Sequence, residues 1–371
     1  MMRARQAIAG ASRLVVKIGS SSLTNDAGGL QEQHLDELVR ALVRNVHAGV
    51  QLILVSSGAI AAGTPALGLR TPPRDLATQQ AAASVGQGIL LAHYSAQFAE
   101  HDIRVGQVLL TAEDLIRRSQ YRNAQRTLGR LLELGVLPIV NENDTVATDE
   151  IRVGDNDRLA ALVAHVVQAD GLVLLTDIDG LYDRPPTQEG ARHIQTVASA
   201  RDLGDVALGG RGTGVGRGGM ITKVQAALMA SEAGIPVVLT SAGHVSEALL
   251  GEVTGTVFAP SGKRRSPRQM WLAHATNACG SVQIDSGAVQ ALRQRQASLL
   301  AAGVLGVTGS FLAGEPVDIV DPDGVAVARG LVGYDAAEFE RLVGRTTADL
   351  ISEFGPGYER EIVHRDDLVL L

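Results

Sequence analysis

The apolar run RLVVKI at residues 13–18 precedes the helical pattern HLDELVRALVRNVHAG at residues 34–49 and a second apolar run, QLILVSS, at residues 51–57. Both short runs are uniformly apolar, which predicts strands that are buried on both faces. Strands that are separated by a helix are expected to be parallel. This stretch therefore predicts a β-α-β unit.

The same alternation continues to about residue 260. Further apolar runs are IRVGQVLL, GVLPIVN, GLVLLTD and IPVVLT, and they are interleaved with the helical patterns LATQQAAASVGQGILLAHYSAQFAE and MITKVQAALMASEAG. The predicted fold class is α/β, an open, mostly parallel sheet sandwiched by helices, over residues 1–260.

The sequence changes in character after residue 260. The run SGKRRSPRQ predicts a basic linker over residues 261–279. Short alternating segments with glycine turns then predict a small, mostly-β domain over residues 280–358, followed by a C-terminal tail at 359–371.

Composition limits the classes of function. The 371 residues are 45% hydrophobic and 3% aromatic, with a net charge of −7, which argues against a general binder of nucleic acid or membranes. Cys279 is the single cysteine, so an intrachain disulfide is impossible and a reducing, cytoplasmic location is expected. No run of residues has the uninterrupted apolar length of a membrane helix.

The glycine-rich run GTGVGRGGMITK at residues 212–223 contains a G-x-G-x-x-G spacing at Gly214, Gly216 and Gly219. A dinucleotide site needs a strand directly before it and an acidic residue about 20 positions later, and both are missing. Met220 stands where a Walker loop needs its lysine. A phosphate cradle that leads into a helix with Lys223 is favoured over a dinucleotide site or a surface turn.

Polar residues follow the predicted strands, where ligands of parallel sheets collect. Lys17 ends the first strand and needs an anionic partner, unless its ammonium group reaches solvent at a sheet edge. Ser56 and Ser57 precede a helix and suit an anion, and a plain serine N-cap is a strong competing explanation.

The most unusual stretch is NENDTVATDEIRVGDND, residues 141–157. Its amides and carboxylates suit a substrate that carries an ammonium and a carboxylate group. Thr176 and Asp177 follow the next strand and suit a nucleotide or the water shell of Mg²⁺. No His or Cys pair has the spacing of a transition-metal site. Two lysines, a glycine loop and a lone aspartate indicate phosphoryl transfer.

The chain contains, in this order, the motifs VVKIGSSSLT, VSSGAIAAG, AASVGQG, VGQVLLT, PIVNENDTVAT, VGDNDRLAALVA, LLTDIDGLYD and GVGRGGMITKVQAA. This ordered set resembles that of the glutamate 5-kinases, a branch of the amino-acid kinase family. The resemblance covers residues 13–260. The C-terminal part resembles a PUA domain.

The resemblance implies ATP- and Mg²⁺-dependent phosphorylation of the side-chain carboxylate of L-glutamate, in the first step of proline synthesis. It also implies inhibition by proline and a homo-oligomer, either a dimer or a tetramer. It implies catalytic roles for Lys17, Asp157 and Lys223, and glutamate contacts from Ser57, Asp144 and Asn156. The implied ATP-binding residues are Lys17, Gly19, Thr176, Asp177, Arg217, Gly218, Gly219, Met220, Ile221, Thr222 and Lys223.

Three positions depart from the family pattern. Arg217 replaces the usual threonine of the glycine loop and puts a hydroxyl contact to the nucleotide in doubt. Ile221 replaces a small residue, and Gln296 replaces a glycine of the PUA-like part.

Two alternatives remain besides a dinucleotide enzyme. One is an aspartate, acetylglutamate or uridylate kinase of the same fold, against which NENDTVAT and VGDND argue. The other is an RNA-binding protein. The ten acidic and five arginine residues over 280–358 give a net charge of −5, which is unfavourable for RNA.

Overall fold

The computed structural model describes residues 2–24, 31–111, 113–115, 118–146, 155–203, 219–260, 272, 278–295 and 297–371. The chain divides into two compact units, residues 1–264 and 265–371. The predicted linker falls largely outside the described residues. Of the described helices, none is long and apolar enough to cross a bilayer.

The first unit is built on an eight-stranded sheet with the order β3-β4-β2-β1-β5-β9-β10-β8. Its strands are β1 (Arg13–Ile18), β2 (Gln51–Ser56), β3 (Arg104–Leu110), β4 (Val136–Glu142), β5 (Gly171–Thr176), β8 (Thr196–Val197), β9 (Val237–Ser241) and β10 (Thr256–Phe258). The strands from β3 to β9 in this order are all parallel, whereas β10 is antiparallel to β9. The predicted open, mostly parallel sheet is confirmed.

Helices cover both faces of the sheet. They are α1 (Met2–Ala9), α2 (Glu32–His47), α3 (Ala59–Ala66), α4 (Leu76–Ala99), α5 (Arg118–Glu133), α6 (Asp155–Val166), α7 (Met220–Glu232) and α8 (Val245–Leu249). A short hairpin of β6 (Leu181–Tyr182) and β7 (His193–Ile194) lies outside the main sheet. Every residue of β5 is buried, which explains why its sequence is apolar throughout instead of alternating.

Two glycines bring α3 and α4 into backbone contact. A Cβ atom on Gly63 would lie 1.9 Å from the Ala82 carbonyl oxygen, and one on Gly86 would lie 1.8 Å from the Ala59 oxygen. Glycine is therefore required at both positions for this approach. Gly58 caps the start of α3 in a left-handed conformation, with φ of 102° and no side-chain cap, so the plain serine N-cap is not formed.

The second unit is a five-stranded sheet with the order β12-β11-β13-β14-β15. Its elements are β11 (Gly280–Ile284), α9 (Ser286–Arg295), β12 (Val304–Gly309), β13 (Pro316–Val320), β14 (Ala326–Val332), α10 (Phe339–Leu342), α11 (Thr347–Phe354) and β15 (Val363–Leu370). The predicted strand-rich C-terminal part is confirmed.

The predicted tail at 359–371 differs from the structure, because β15 pairs with β14 inside this sheet. Val363, Leu368 and Val369 are buried there. The intervening His364, Arg365 and Asp366 are exposed and hide the apolar pattern of the strand in the sequence.

Candidate active site

The carboxyl ends of four strands meet at one edge of the large sheet. Lys17 of β1 is in register with Val55 of β2 and Leu174 of β5, and Val55 is in register with Val140 of β4. The polar residues that follow these strands therefore lie along the same edge.

A charged cluster forms where α6 and α7 begin beside β1. The Asp157 carboxylate is fully buried, and its Oδ1 lies 2.5 Å from Lys17 Nζ. Its Oδ2 lies 3.3 Å from Lys223 Nζ and accepts a hydrogen bond from Thr222 Oγ1 at 2.9 Å. We call Lys17, Asp157, Thr222 and Lys223 the charged cluster. The structure thus brings together residues that are separated by more than 200 positions in the sequence.

Burial and charge shift the pKa values in this cluster. Burial lowers the pKa of Lys17 below its ordinary value, and this effect outweighs the raising influence of Asp157. Burial raises the pKa of Asp157, but the two adjacent ammonium groups outweigh burial and leave this pKa below its ordinary value. The cluster thus joins two basic groups to one carboxylate, an arrangement that suits binding of an anion.

The choice of lysine in this cluster is notable, because the chain is rich in arginine. Of its 33 basic residues only Lys17, Lys223 and Lys263 are lysines, and two of these three contact Asp157. A lysine ammonium is a compact charge on a flexible stem, whereas arginine is a broad planar fork. The cluster therefore places two point charges close to one another.

Two glycines, Gly19 and Gly219, flank the charged cluster. A Cβ atom on Gly19 would lie 3.6 Å from Lys17 Nζ and 3.8 Å from Ser21 Oγ. Gly219 caps α7 in an extended conformation, so the first N–H groups of the helix, around Met220 and Ile221, have no intrahelical partner. Such a helix start can hold phosphate oxygens.

Arg217 and Gly218 of the predicted glycine loop lie outside the described residues. In the described part, from Gly219 onward, Thr222 Oγ1 lies 2.9 Å from Asp157 Oδ2 and also 2.9 Å from the Gly219 carbonyl oxygen. A hydroxyl group has one proton, so it donates to one of these acceptors at a time.

An amide cluster lies beside the charged cluster. The Glu142 backbone N–H donates to Asn141 Oδ1 at 2.9 Å and to Asn156 Oδ1 at 3.2 Å. Asn141 Nδ2 in turn donates to Gln87 Oε1 at 2.5 Å. We call Gln87, Asn141, Asn156 and the Glu142 backbone the amide cluster. Asn156 directly precedes Asp157, so the first turn of α6 joins the two clusters.

The remaining predicted residues lie along the same edge. The Ser57 backbone N–H donates to the Ile18 carbonyl oxygen at 3.2 Å. Asp144 follows β4 and is buried. On the other side of β1, Thr176 at the end of β5 is buried and donates to Asp177 Oδ1 at 2.8 Å.

Two polar residues of α4 were missed by sequence reasoning. Gln87 contacts Asn141, and the Tyr94 hydroxyl lies 2.9 Å from Ser56 Oγ with both side chains fully buried. The motif AASVGQG contains Gln87, but it was used only as part of the family resemblance. Gln87 and Asn141 are 54 positions apart, and a contact at that separation leaves no periodic pattern in a single sequence.

Comparison with known proteins identifies the family of this chain. The family model described as "Amino acid kinase family" matches residues 12–241. The chain belongs to the amino acid kinase family. Residues 280–354 match the PUA domain model, so the second unit is a PUA domain, and β15 extends its sheet beyond the matched range.

Full-length relatives narrow the family further. The glutamate 5-kinase of Streptomyces avermitilis is 58% identical, with 100% of each chain covered. The glutamate 5-kinase of Frankia casuarinae is 60% identical, with 99% of each chain covered. That of Thermobifida fusca is 59% identical, with 99% of this chain and 95% of the relative covered. This amino acid kinase therefore groups with the glutamate 5-kinases.

Proposed function

We propose that this protein transfers the γ-phosphoryl group of ATP to the side-chain carboxylate of L-glutamate and so forms L-glutamyl 5-phosphate, the first step of proline biosynthesis. The observation that carries the chemistry is the charged cluster, in which two buried lysines share one aspartate. The acceptor is inferred from the name of the full-length relatives.

The reaction needs no covalent enzyme intermediate. A glutamate carboxylate oxygen attacks the γ-phosphorus, a new O–P bond forms, and the bond to the bridging oxygen of ADP breaks. Negative charge spreads over the transferring group, and fixed positive charges stabilise it. We assign this stabilisation to Lys17 and Lys223, and the alignment of their ammonium groups to Asp157.

The acceptor side binds through amides and hydroxyls. In a carboxamide only the oxygen accepts a hydrogen bond, so the hydrogen bond from the Glu142 N–H orients Asn156 Oδ1 toward β4. The Nδ2 group of Asn156 is then the side that donates to a substrate carboxylate. We assign the other glutamate contacts to Ser57 and Asp144.

The nucleotide side is assigned to Gly19, Thr176, Asp177 and the loop from Arg217 to Lys223. Mg²⁺ in kinases is usually held by phosphate oxygens and water with one or two carboxylates. Asp177 at the end of β5 is the carboxylate that we propose for its water shell.

We further propose that proline inhibits the enzyme by competing near the glutamate site, because proline has the skeleton of a cyclised glutamate. The amide cluster supplies hydrogen-bonding groups for its carboxylate. Initial rates at several glutamate concentrations, with and without proline, test this idea. Rates that do not respond to millimolar proline would remove it and leave the catalytic proposal intact.

A cytoplasmic location and a homo-oligomer, dimer or tetramer, remain predictions. Light scattering of the purified chain measures the second, and a monomer at assay concentration would contradict it.

The substrate assignment is tested by ATP consumption with a panel of acceptors, trapping the acyl phosphate as its hydroxamate with hydroxylamine. We expect hydroxamate from L-glutamate in the presence of Mg²⁺, and none after chelation of the metal. Preference for aspartate, acetylglutamate or UMP, with glutamate inert, would show the assignment to be wrong.

A further inference from the structure

Helix α4 contains no Asp, Glu, Lys or Arg in its 24 residues, yet it places two polar side chains against the active-site edge. Gln87 and Tyr94 are seven positions apart, which is about two helical turns, so they lie on one face. Tyr94 contacts the end of β2 and Gln87 contacts the end of β4. The backbone contact at Gly86 holds this face at a fixed distance from α3.

Asn141 depends on Gln87 for one of its hydrogen bonds. Asn141 is 1% exposed, so its carboxamide has little access to bulk water. Its Nδ2 donates to Gln87 Oε1 at 2.5 Å, and its Oδ1 accepts from the Glu142 N–H at 2.9 Å. Gln87 thus holds the carboxamide of Asn141 in the orientation that points its oxygen at Glu142.

The same Glu142 N–H is shared with Asn156 Oδ1 at 3.2 Å. If the Asn141 carboxamide turned over, its Nδ2 group would face the Glu142 N–H, and two donors would meet. The end of β4 would have to shift, and the position of Asn156 would change with it.

We propose that Gln87 is a positioning residue of the acceptor site, which acts through Asn141 and the Glu142 backbone to fix the carboxamide of Asn156. This inference rests on the proposed function, because it assigns Asn156 to the acceptor. It does not place Gln87 in contact with substrate. It predicts a change in acceptor binding that leaves the nucleotide side and the charged cluster intact.

Two substitutions separate the hydrogen bond from packing. Gln87→Met keeps a similar length and removes the acceptor oxygen. Gln87→Glu keeps an oxygen that accepts from Asn141 Nδ2 and serves as the matched control. Gln87→Asn, which is too short to reach Asn141, replaces the Met variant if that variant does not fold.

The experiment measures kcat and the KM values for glutamate and ATP in the full-length chain, with thermal unfolding as a check of folding. Loss of one part-buried hydrogen bond that orients a binding group is expected to raise KM for glutamate by about tenfold in Gln87→Met. KM for ATP is expected to stay within about twofold, and Gln87→Glu to raise KM for glutamate less than Gln87→Met does.

Three results would overturn the inference: an unchanged KM for glutamate in Gln87→Met, an equal rise in both KM values, or a Gln87→Glu variant as impaired as Gln87→Met. The wild-type arm tests the proposed function separately. If the wild type prefers another acceptor, the proposed function is wrong, and the same comparison is made with that acceptor.

Discussion

The charged cluster and the amide cluster lie side by side at one edge of the sheet, and they are built from different chemistry. In the charged cluster, Lys17 and Lys223 contact a single buried carboxylate. The amide cluster uses neutral groups, with the Glu142 N–H shared between Asn141 and Asn156. Fixed charges act most strongly on charge that develops in a transition state, whereas neutral hydrogen bonds bind ground and transition states similarly. The two clusters should therefore govern different kinetic constants.

The strongest test of this division removes a lysine. Lys17→Ala or Lys223→Ala is expected to lower kcat by about 10²–10³-fold or more, or about 3–4 kcal/mol, because each removes a preorganised charge at the transferring group. Lys263→Ala, at the third lysine of the chain, is the control for loss of positive charge and should retain wild-type turnover. Near-wild-type kcat in a folded Lys17 or Lys223 variant would defeat the assignment.

The next test changes the shared carboxylate. Asp157→Asn should lower kcat by roughly 10–10²-fold, since a neutral amide aligns two ammonium groups less well than a carboxylate does. KM for glutamate should change less than kcat. If KM for glutamate rose while kcat stayed unchanged, Asp157 would belong to acceptor binding, and the division between the two clusters would be wrong.

A third test concerns the acceptor side. Ser57→Ala should raise KM for glutamate by about tenfold and lower kcat less, because it removes a hydrogen bond to a charged substrate. Ser56→Ala is the matched control at the adjacent position. Ser56 is buried against Tyr94, so its loss should lower the unfolding temperature more than it changes KM. If Ser56→Ala raised KM for glutamate and Ser57→Ala mainly lowered the unfolding temperature, Ser56 and not Ser57 would be the residue that contacts glutamate.

The pH dependence offers a finer test. Burial lowers the pKa of Lys17 in the free protein. Bound phosphate would favour the protonated amine and raise this pKa again. Since kcat/KM reports the free enzyme and kcat the bound complex, the alkaline decline of kcat/KM for ATP should begin at lower pH than that of kcat. If kcat/KM for ATP and kcat declined at the same alkaline pH, a role for the Lys17 charge in nucleotide binding would be contradicted.

The smallest effect is expected from truncation. A chain that ends near Pro260 should keep measurable activity, within about an order of magnitude of the full length, because both clusters come from residues before it. A soluble, folded truncation with no activity would show that the PUA domain contributes to the site or to its assembly.

The strands β1, β2, β4, β5 and β9 were predictable because each is a mainly apolar run, as expected for a strand that is buried on both faces. Lys17 was identifiable for the same reason, since it interrupts one of these runs. The strand β15 was not predictable, because three exposed polar residues break its pattern.

The internal organisation of the amide cluster was equally out of reach. The contact between Asn141 and Gln87 depends on the packing of α4 against α3, which is set by backbone contact at Gly63 and Gly86. Sequence reasoning also assigned Thr222 to the nucleotide, whereas in the structure its hydroxyl lies 2.9 Å from Asp157 Oδ2. The nucleotide role of this residue stays a prediction.

The scarcity of lysine has a practical consequence for covalent labelling. An amine-selective acylating reagent has only three side-chain targets in the whole chain, and two of them contact the same carboxylate. Their modification rates therefore report how often the buried edge opens to the reagent, and Lys263 supplies an internal reference. Mass spectrometry of the peptides that contain Lys17 and Lys223 would follow this opening residue by residue, without any engineered probe.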